Sequence, residues 1–412
     1  MEGYNKKVIM SYWTICRMKT TKKIYVKVSI IFLLGGILLF SSCEKEENQK
    51  IEANRKTLFM YLPWSSNLTN YFYNNISDLE KCITKIGLNN EKVIVFISTG
   101  STEAMMFEIV SSHGRCKREI LKKYKSPPFT TIDGITAILN DVKAFDPASV
   151  YTMIIGCHGM GWLPVYEMKV RSAPHMKMHW EYQGVPLTRY FGGLTAEYQT
   201  DIKSLASGIA NAGMKMEYIL FDDCYMSSIE VAYELKDVTK YLIGSTSEMM
   251  AYGMPYAAIG EYLLGNPDYQ SGCEEFYNFY STYEIMPCGT LAVTDCSELE
   301  NMAAIIKSIN SKYSFDKSLR GTIQRLDGYT PVIFYDFADY ITSLCNDPIL
   351  LNQFREQLNH LVPYISHTKY FYTMAKGIIP FNTFSGITTS DPSDNPMTVL
   401  KENTLWYKAA HN

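Results

Sequence analysis

From Lys56 to about Thr246, short apolar runs of strand type alternate with amphipathic stretches of helical length, and no other feature constrains the fold as tightly. "TLFMYLP", "EKVIVFIS", "SVYTMIIG", "MEYILFD" and "YLIGST" read as strands, with "AMMFEIV" as a further candidate. "NLTNYFYNNISDLEKCITKI", "IDGITAILNDVKAF", "YQTDIKSLASGIANAG" and "SSIEVAYELKDV" read as the intervening helices. Strands this uniformly apolar need cover on both faces, so the alternation predicts an α/β fold of three α/β/α layers around a mostly parallel sheet. In such sheets ligands gather beyond the carboxyl ends of the strands.

Beyond residue 265 the pattern becomes mixed. Helices are expected near "CEEFYNFYSTYEI" and "SELENMAAIIKSINSKY", with a strand candidate at "GTLAVTD". Residues 266–412 are therefore read as a C-terminal subdomain packed on the sheet of a 56–265 domain. The chain has 412 residues, 47% of them hydrophobic, which suffices for a large core and excludes wholesale disorder. Its formal net charge of -3 gives no bulk attraction to phosphate backbones, so no nucleic-acid partner is expected. A monomer is expected.

The N-terminus reads as an export signal. Lys22, Lys23 and Lys27 precede the apolar run Val28–Phe40, shorter than the roughly 20 residues a bilayer span needs, and "FSSC" follows. Residues 1–42 are thus a signal peptide, with Met18 as an alternative start. Cys43 resembles the lipid-bearing cysteine of bacterial lipoproteins, and residues 43–55 a solvated tether. These features place the protein in the cell envelope, held to the outer membrane or cell surface by lipid. Cys16 falls in the leader, and the eight remaining cysteines are scattered without close pairing or any C-x-x-C, so neither a disulfide framework nor a zinc ribbon organises the chain.

Two strands end in reactive residues: "YTMIIGCHG" in His158 and "MEYILFDDCYMSS" in Cys224. In a parallel sheet both tips lie at one edge, and one intervening helix makes adjacent strands feasible. A thiol beside an imidazole is the minimum equipment for acyl transfer. Strand alternation sends Asp222 and Cys224 to one side and Asp223 to the other, and separates Cys157 from His158. An acidic group beside a nucleophile raises the thiol pKa, so Asp222 makes better sense as the floor of a pocket for a substrate Arg or Lys. A helix starting near Ser227 would add positive potential favouring a thiolate.

"GCHGMGW" and "FDDCYMSSIEVAYEL" resemble the His-Gly and Asp-x-Cys signatures of the clostripain family of cysteine peptidases, relatives of caspases and gingipains. "MYLPWSSNL" is similar to that family's first strand and turn, and "YLIGSTSEMMAYGMPY" to the strand after the nucleophile. The likeness spans about residues 56–260. It implies a caspase-like fold, Cys224 as nucleophile, His158 as general acid, and an oxyanion hole from the N–H groups of Gly159 and Cys224. It also implies that Ser247 and Glu248 line the substrate cleft and that Asp222 favours a basic P1 residue. The commoner "FDACLM" is here "FDDCYM", which leaves Asp223 as a second pocket charge or in an ion pair on the sheet face. Relatives are cut in the loop after the histidine strand. Arg171, in "EMKVRSAPHMKMHW", is the preferred self-cleavage site, ahead of Lys169 and Lys177.

A rival function is a non-catalytic surface lipoprotein that binds peptides or glycans at the same sheet edge. Retention of both Cys224 and His158 favours the enzyme. His175 and His179 have a zinc-like spacing but lack a third ligand, and Pro174 breaks a helix there. "TTSDPSDNP" could offer Asp391 and Asp394 to calcium but lacks a calcium-loop pattern, so it reads as a turn and no cofactor is expected. His113, His360, His367 and His411 read as solvated or capping residues.

Overall fold

Strand β1 (Lys56–Leu62) is buried at every position after Lys56, as a strand with neighbours on both sides and helices over both faces must be. The computed structural model describes residues 55–65, 67–157, 159–165 and 198–411. After β1 come α1 (Thr69–Ile86), β2 (Glu91–Gly100), β3 (Glu103–Ser112), β4 (Arg115–Lys125), α2 (Ile132–Phe145) and β5 (Val150–Ile155). Then follow α3 (Ile202–Asn211), β6 (Met216–Phe221), α4 (Ile229–Leu235), β7 (Thr239–Gly244), α5 (Tyr256–Leu263), α6 (Tyr269–Ser281), β8 (Thr290–Asp295) and α7 (Leu299–Asn310). The chain continues through β9 (Tyr335–Asp336), α8 (Phe337–Leu344), α9 (Pro348–Leu361), β10 (Tyr364–His367), β11 (Tyr370–Thr373), β12 (Gly377–Pro380), β13 (Thr388–Thr389) and α10 (Leu405–His411).

Nine strands form one sheet in the order β10-β8-β7-β6-β5-β1-β2-β3-β4. The five from β7 to β2 are mutually parallel, and antiparallel pairings extend both edges. The predicted α/β architecture is thus the one observed. The helices fall into two packed sets, α1 with α5 and α6, and α2, α3, α4, α10, α7 and α9 in succession. Their apolar faces follow helical spacing: α1 buries Phe72, Ile76, Leu79 and Ile83. Side-chain caps set several starts, with Thr131 accepting from the Gly134 N–H and Asp201 from that of Ser204.

The sequence reading missed β4. Its "RCKREILKKYK" is too charged to look like a strand, yet charge is what an edge strand tolerates and uses against unwanted pairing. The turn joining it to β3 places His113 and Gly114 both at positive φ (52° and 70°), which two-residue hairpin turns require.

Residues beyond 265 supply β8 and β10 to this same sheet, and Arg55–Asn412 form one compact unit. The C-terminal segment also reaches the centre. The Thr388 N–H donates to the Ser227 carbonyl (3.0 Å), just past the end of β6. Among the described residues all eight cysteines remain thiols, no cluster of three His, Cys, Asp or Glu is placed to hold a metal, and no helix is long and apolar enough to cross a membrane.

Candidate active site

β5 and β6 are adjacent and parallel, their last paired residues being Ile155 and Phe221, and the Asp222 N–H continues the ladder to the Ile155 carbonyl (2.8 Å). Both chains then leave the sheet at the same end. Asp223 faces the β5 side: one carboxylate oxygen accepts from the Cys157 N–H (2.6 Å) and the other from the Cys157 thiol (3.4 Å). Gly159 lies so close to the Cys224 loop that a Cβ there would sit 2.1 Å from the Cys224 carbonyl oxygen and 2.9 Å from its nitrogen. Only glycine fits that approach. Cys157 thus abuts Asp223, and Gly159 abuts both Asp223 and Cys224. His158 itself lies outside the described residues, as do Arg171, Lys169, Lys177, His175, His179 and Cys43.

Cys224 is fully buried. Its sulfur accepts a hydrogen bond from the Met249 N–H (3.1 Å) and lies 3.7 Å from the Met249 carbonyl, so the Met249 backbone lies against the thiol. The helix that follows starts only at Ile229 and is seven residues long. The Met249 amide is a backbone donor to the sulfur, while the helix expected to start near Ser227 begins five residues after Cys224, beyond the first-turn reach of its terminal field.

Asp222 is buried as well, with one oxygen taking the Met254 N–H (2.8 Å) and the other the Tyr256 hydroxyl (2.9 Å). The 249–256 loop therefore covers both the sulfur and this carboxylate. It is pinned from outside by Asn75, which donates to the Tyr252 carbonyl (2.8 Å), by Asp78, which accepts from the Tyr252 hydroxyl (2.6 Å), and by the Tyr280 hydroxyl on the Gly253 carbonyl (2.6 Å). Cys224 and Asp222 thus both have partners on this one segment.

Ser247 and Glu248 are also interior. The Ser247 hydroxyl lies 3.2 Å from that of Thr290, and its carbonyl accepts from the Tyr225 N–H (3.1 Å). Glu248 accepts from the Tyr225 hydroxyl (2.9 Å) on one oxygen and from the Met374 N–H (3.0 Å) on the other. The expected roles of Asp223 gave no hint of its bond to the Cys157 backbone, which fastens the loop that carries residue 158.

Tyr225 was not singled out from the sequence. It is buried, sits at φ 61°, which costs a side-chain-bearing residue about 1–2 kcal/mol, and stacks on Phe334 (4.8 Å, 16°). Burial pushes its hydroxyl well above the ordinary 10, reinforced by Glu248, so it serves as a donor. The path from Cys224 through Tyr225, Glu248 and the Met249 amide closes on the Cys224 sulfur. The departure "CYM" was visible in the sequence, but its partner Phe334 lies more than a hundred residues away. The Met249 contact is made by backbone, which residue identity does not reveal.

The clostripain family matches this chain over residues 60–359. A secreted C11 cysteine protease from Bacteroides thetaiotaomicron, iotapain, is 58% identical, with 87% of this chain and 99% of that one covered and a TM-score of 0.81. A clostripain from the same organism, solved with the peptide inhibitor BTN-VLTK-AOMK, is 65% identical over 54% of this chain and 99% of its own, with a TM-score of 0.53. An inactive zymogen C11 protease from Parabacteroides distasonis shares the fold at 23% identity, covering 88% of this chain and 99% of its own, with a TM-score of 0.72. A search of curated proteins finds no match. A fold with a thiol and a glycine loop meeting at adjacent strand tips, and a family match across most of its length, lead to one assignment: the chain belongs to the clostripain family of cysteine proteases.

Proposed function

We propose that this cysteine protease is an exported, lipid-anchored endopeptidase that cuts after lysine or arginine by a Cys224–His158 dyad. The observation that supports the reading is the close approach of Gly159 to the Cys224 backbone, past the adjacent ends of β5 and β6. The Cys224 thiolate attacks the substrate carbonyl carbon, a C–S bond forms, and the carbonyl electron pair moves to an oxygen stabilised by the N–H groups of Gly159 and Cys224. Collapse breaks the C–N bond, and the departing amine takes its proton from the His158 imidazolium. Water, deprotonated by His158, then attacks the thioester and regenerates the thiolate.

Basic P1 preference rests on Asp222, once its two loop donors have withdrawn. The inhibitor bound to the relative carries lysine next to its AOMK group, in keeping with this. Ser247 and Glu248 support the cleft wall from within. The closed 249–256 loop fits a latent chain whose self-cleavage at Arg171 releases the cleft. Export agrees with the secreted relative, and lipidation is assigned to Cys43. The substrate is protein or peptide, and the enzyme acts as a monomer without a cofactor.

Fluorogenic peptides ending in Lys, Arg or Ala, given to the wild type and to Cys224→Ala, test this. Turnover of the basic peptides by the wild type alone is expected. Equal signals from both proteins would end the catalytic assignment, and an Ala peptide cut as fast as Lys would end that of Asp222. Mass spectrometry of the mature protein should find a start at lipidated Cys43 and a cut after Arg171 in the wild type only.

A further inference from the structure

After α7 the chain makes a 3-10 turn (Lys317–Thr322) and then forms an antiparallel bridge between Arg325 and Tyr335. With Asp394 these segments enclose a cleft of about 390 Å³, floored by the buried Ile323 and Tyr335. Tyr335 is 2% exposed and lines the cleft, and its hydroxyl makes no hydrogen bond among the described residues. Burial raises it to about 12, so the hydroxyl keeps its proton at neutral pH and can donate.

Three cations line the same space. Arg320 gives Nε to the Pro392 carbonyl and Nη1 to Asp394, leaving Nη2. Arg325 gives Nε to the Asp327 carbonyl and Nη2 to that of Tyr329, leaving Nη1. Lys317 is exposed and makes no hydrogen bond among the described residues. Backbone carbonyls orient both guanidinium groups, so their remaining N–H donors are held in place rather than free to turn.

We propose that this cleft binds an acidic segment of a polypeptide. Side-chain carboxylates would take the donors of Lys317, Arg320 and Arg325 and the Tyr335 hydroxyl. Asp394 would accept a backbone N–H of the same segment. That carboxylate distinguishes the ligand class. It repels a compact, doubly charged phosphate, whereas a peptide brings it a donor and spreads single charges along the cleft. The choice of polypeptide rests on the protease reading above, but the site's test needs no turnover.

Fluorescence anisotropy of labelled hexaglutamate with the uncleaved Cys224→Ala chain at low salt is the test. Saturable binding is expected, weakened at least about tenfold for hexaglutamine and on the order of tenfold by Lys317→Glu, a change at an exposed residue that leaves the fold intact. Tyr335→Phe should weaken it by about threefold. Hexaglutamate binding no better than hexaglutamine, or unchanged in Lys317→Glu, would overturn the proposal. Inorganic phosphate that displaces the peptide at equal charge concentration would overturn its assignment to a polypeptide.

Discussion

Tyr225→Phe removes a single oxygen from the ring of contacts that closes on the Cys224 sulfur. The aromatic ring stays, and with it the stack on Phe334 at 4.8 Å. What disappears is the 2.9 Å bond to Glu248, between a residue that is fully buried and one that is 3% exposed. A hydrogen bond to a carboxylate contributes about 1.5–3 kcal/mol, so the variant should unfold about 2 kcal/mol more easily. Glu248 precedes Met249, whose amide donates to the sulfur at 3.1 Å. Loosening Glu248 therefore loosens that donor. If about 1.4 kcal/mol of the loss reaches the transition state, kcat/KM falls roughly tenfold. The fall should appear in kcat, because the bond orients the nucleophile and not the substrate. Urea unfolding and steady-state kinetics on a basic fluorogenic peptide measure both quantities, and a cycle with Glu248→Gln isolates the pair. The double variant should be little worse than either single one, a coupling of at least about 1 kcal/mol. Additive effects, or a Tyr225→Phe enzyme as stable and active as the wild type, would show that the ring of contacts does not position the thiol.

Two further outcomes follow from the same structure. Gly159→Ala places a methyl group 2.1 Å from the Cys224 carbonyl, so backbone must move; a stability loss of about 1–3 kcal/mol and near-complete loss of turnover are expected, and an active Gly159→Ala enzyme would mean the two loops separate in the working state. Glu230, buried at the start of α4, has its carboxyl raised from 4.5 to about 7 by burial and then by Asp391. A folded-state value above the unfolded one means that stability is full below about pH 4.5 and is lost as pH rises toward 7, by up to roughly 3 kcal/mol. Urea midpoints at pH 5 and pH 8 should therefore differ less for Glu230→Gln than for the wild type, with a remaining slope in the same direction from Asp327, raised to about 6 by burial. An identical pH dependence in both proteins would contradict this.

The parallel core was readable because burial on both faces writes itself into composition. β1, β5 and β6 are apolar nearly throughout, and their helices carry polar outer faces with visible caps. β4 was not readable, since an edge strand needs neither apolar residues nor alternation. At the site, Cys224 and Gly159 stood out in the sequence by residue type, but the close approach of Gly159 to the Cys224 backbone did not. The bond from Asp223 to the Cys157 backbone was not, because a carboxylate at a strand tip has many partners within reach.

Residue identity and spacing alone determined the fold class, the family signatures and the strands β5 and β6 that precede two of them. Only the tertiary structure decided what lies against them: the Met249 peptide over the sulfur, the loop donors on Asp222, and Phe334 and Met374 brought from the far end of the chain to Tyr225 and Glu248. The reason is physical. Periodic burial is a local property repeated along the chain, whereas these contacts use backbone atoms and residues distant in sequence, whose meeting depends on how the whole sheet and its helices pack.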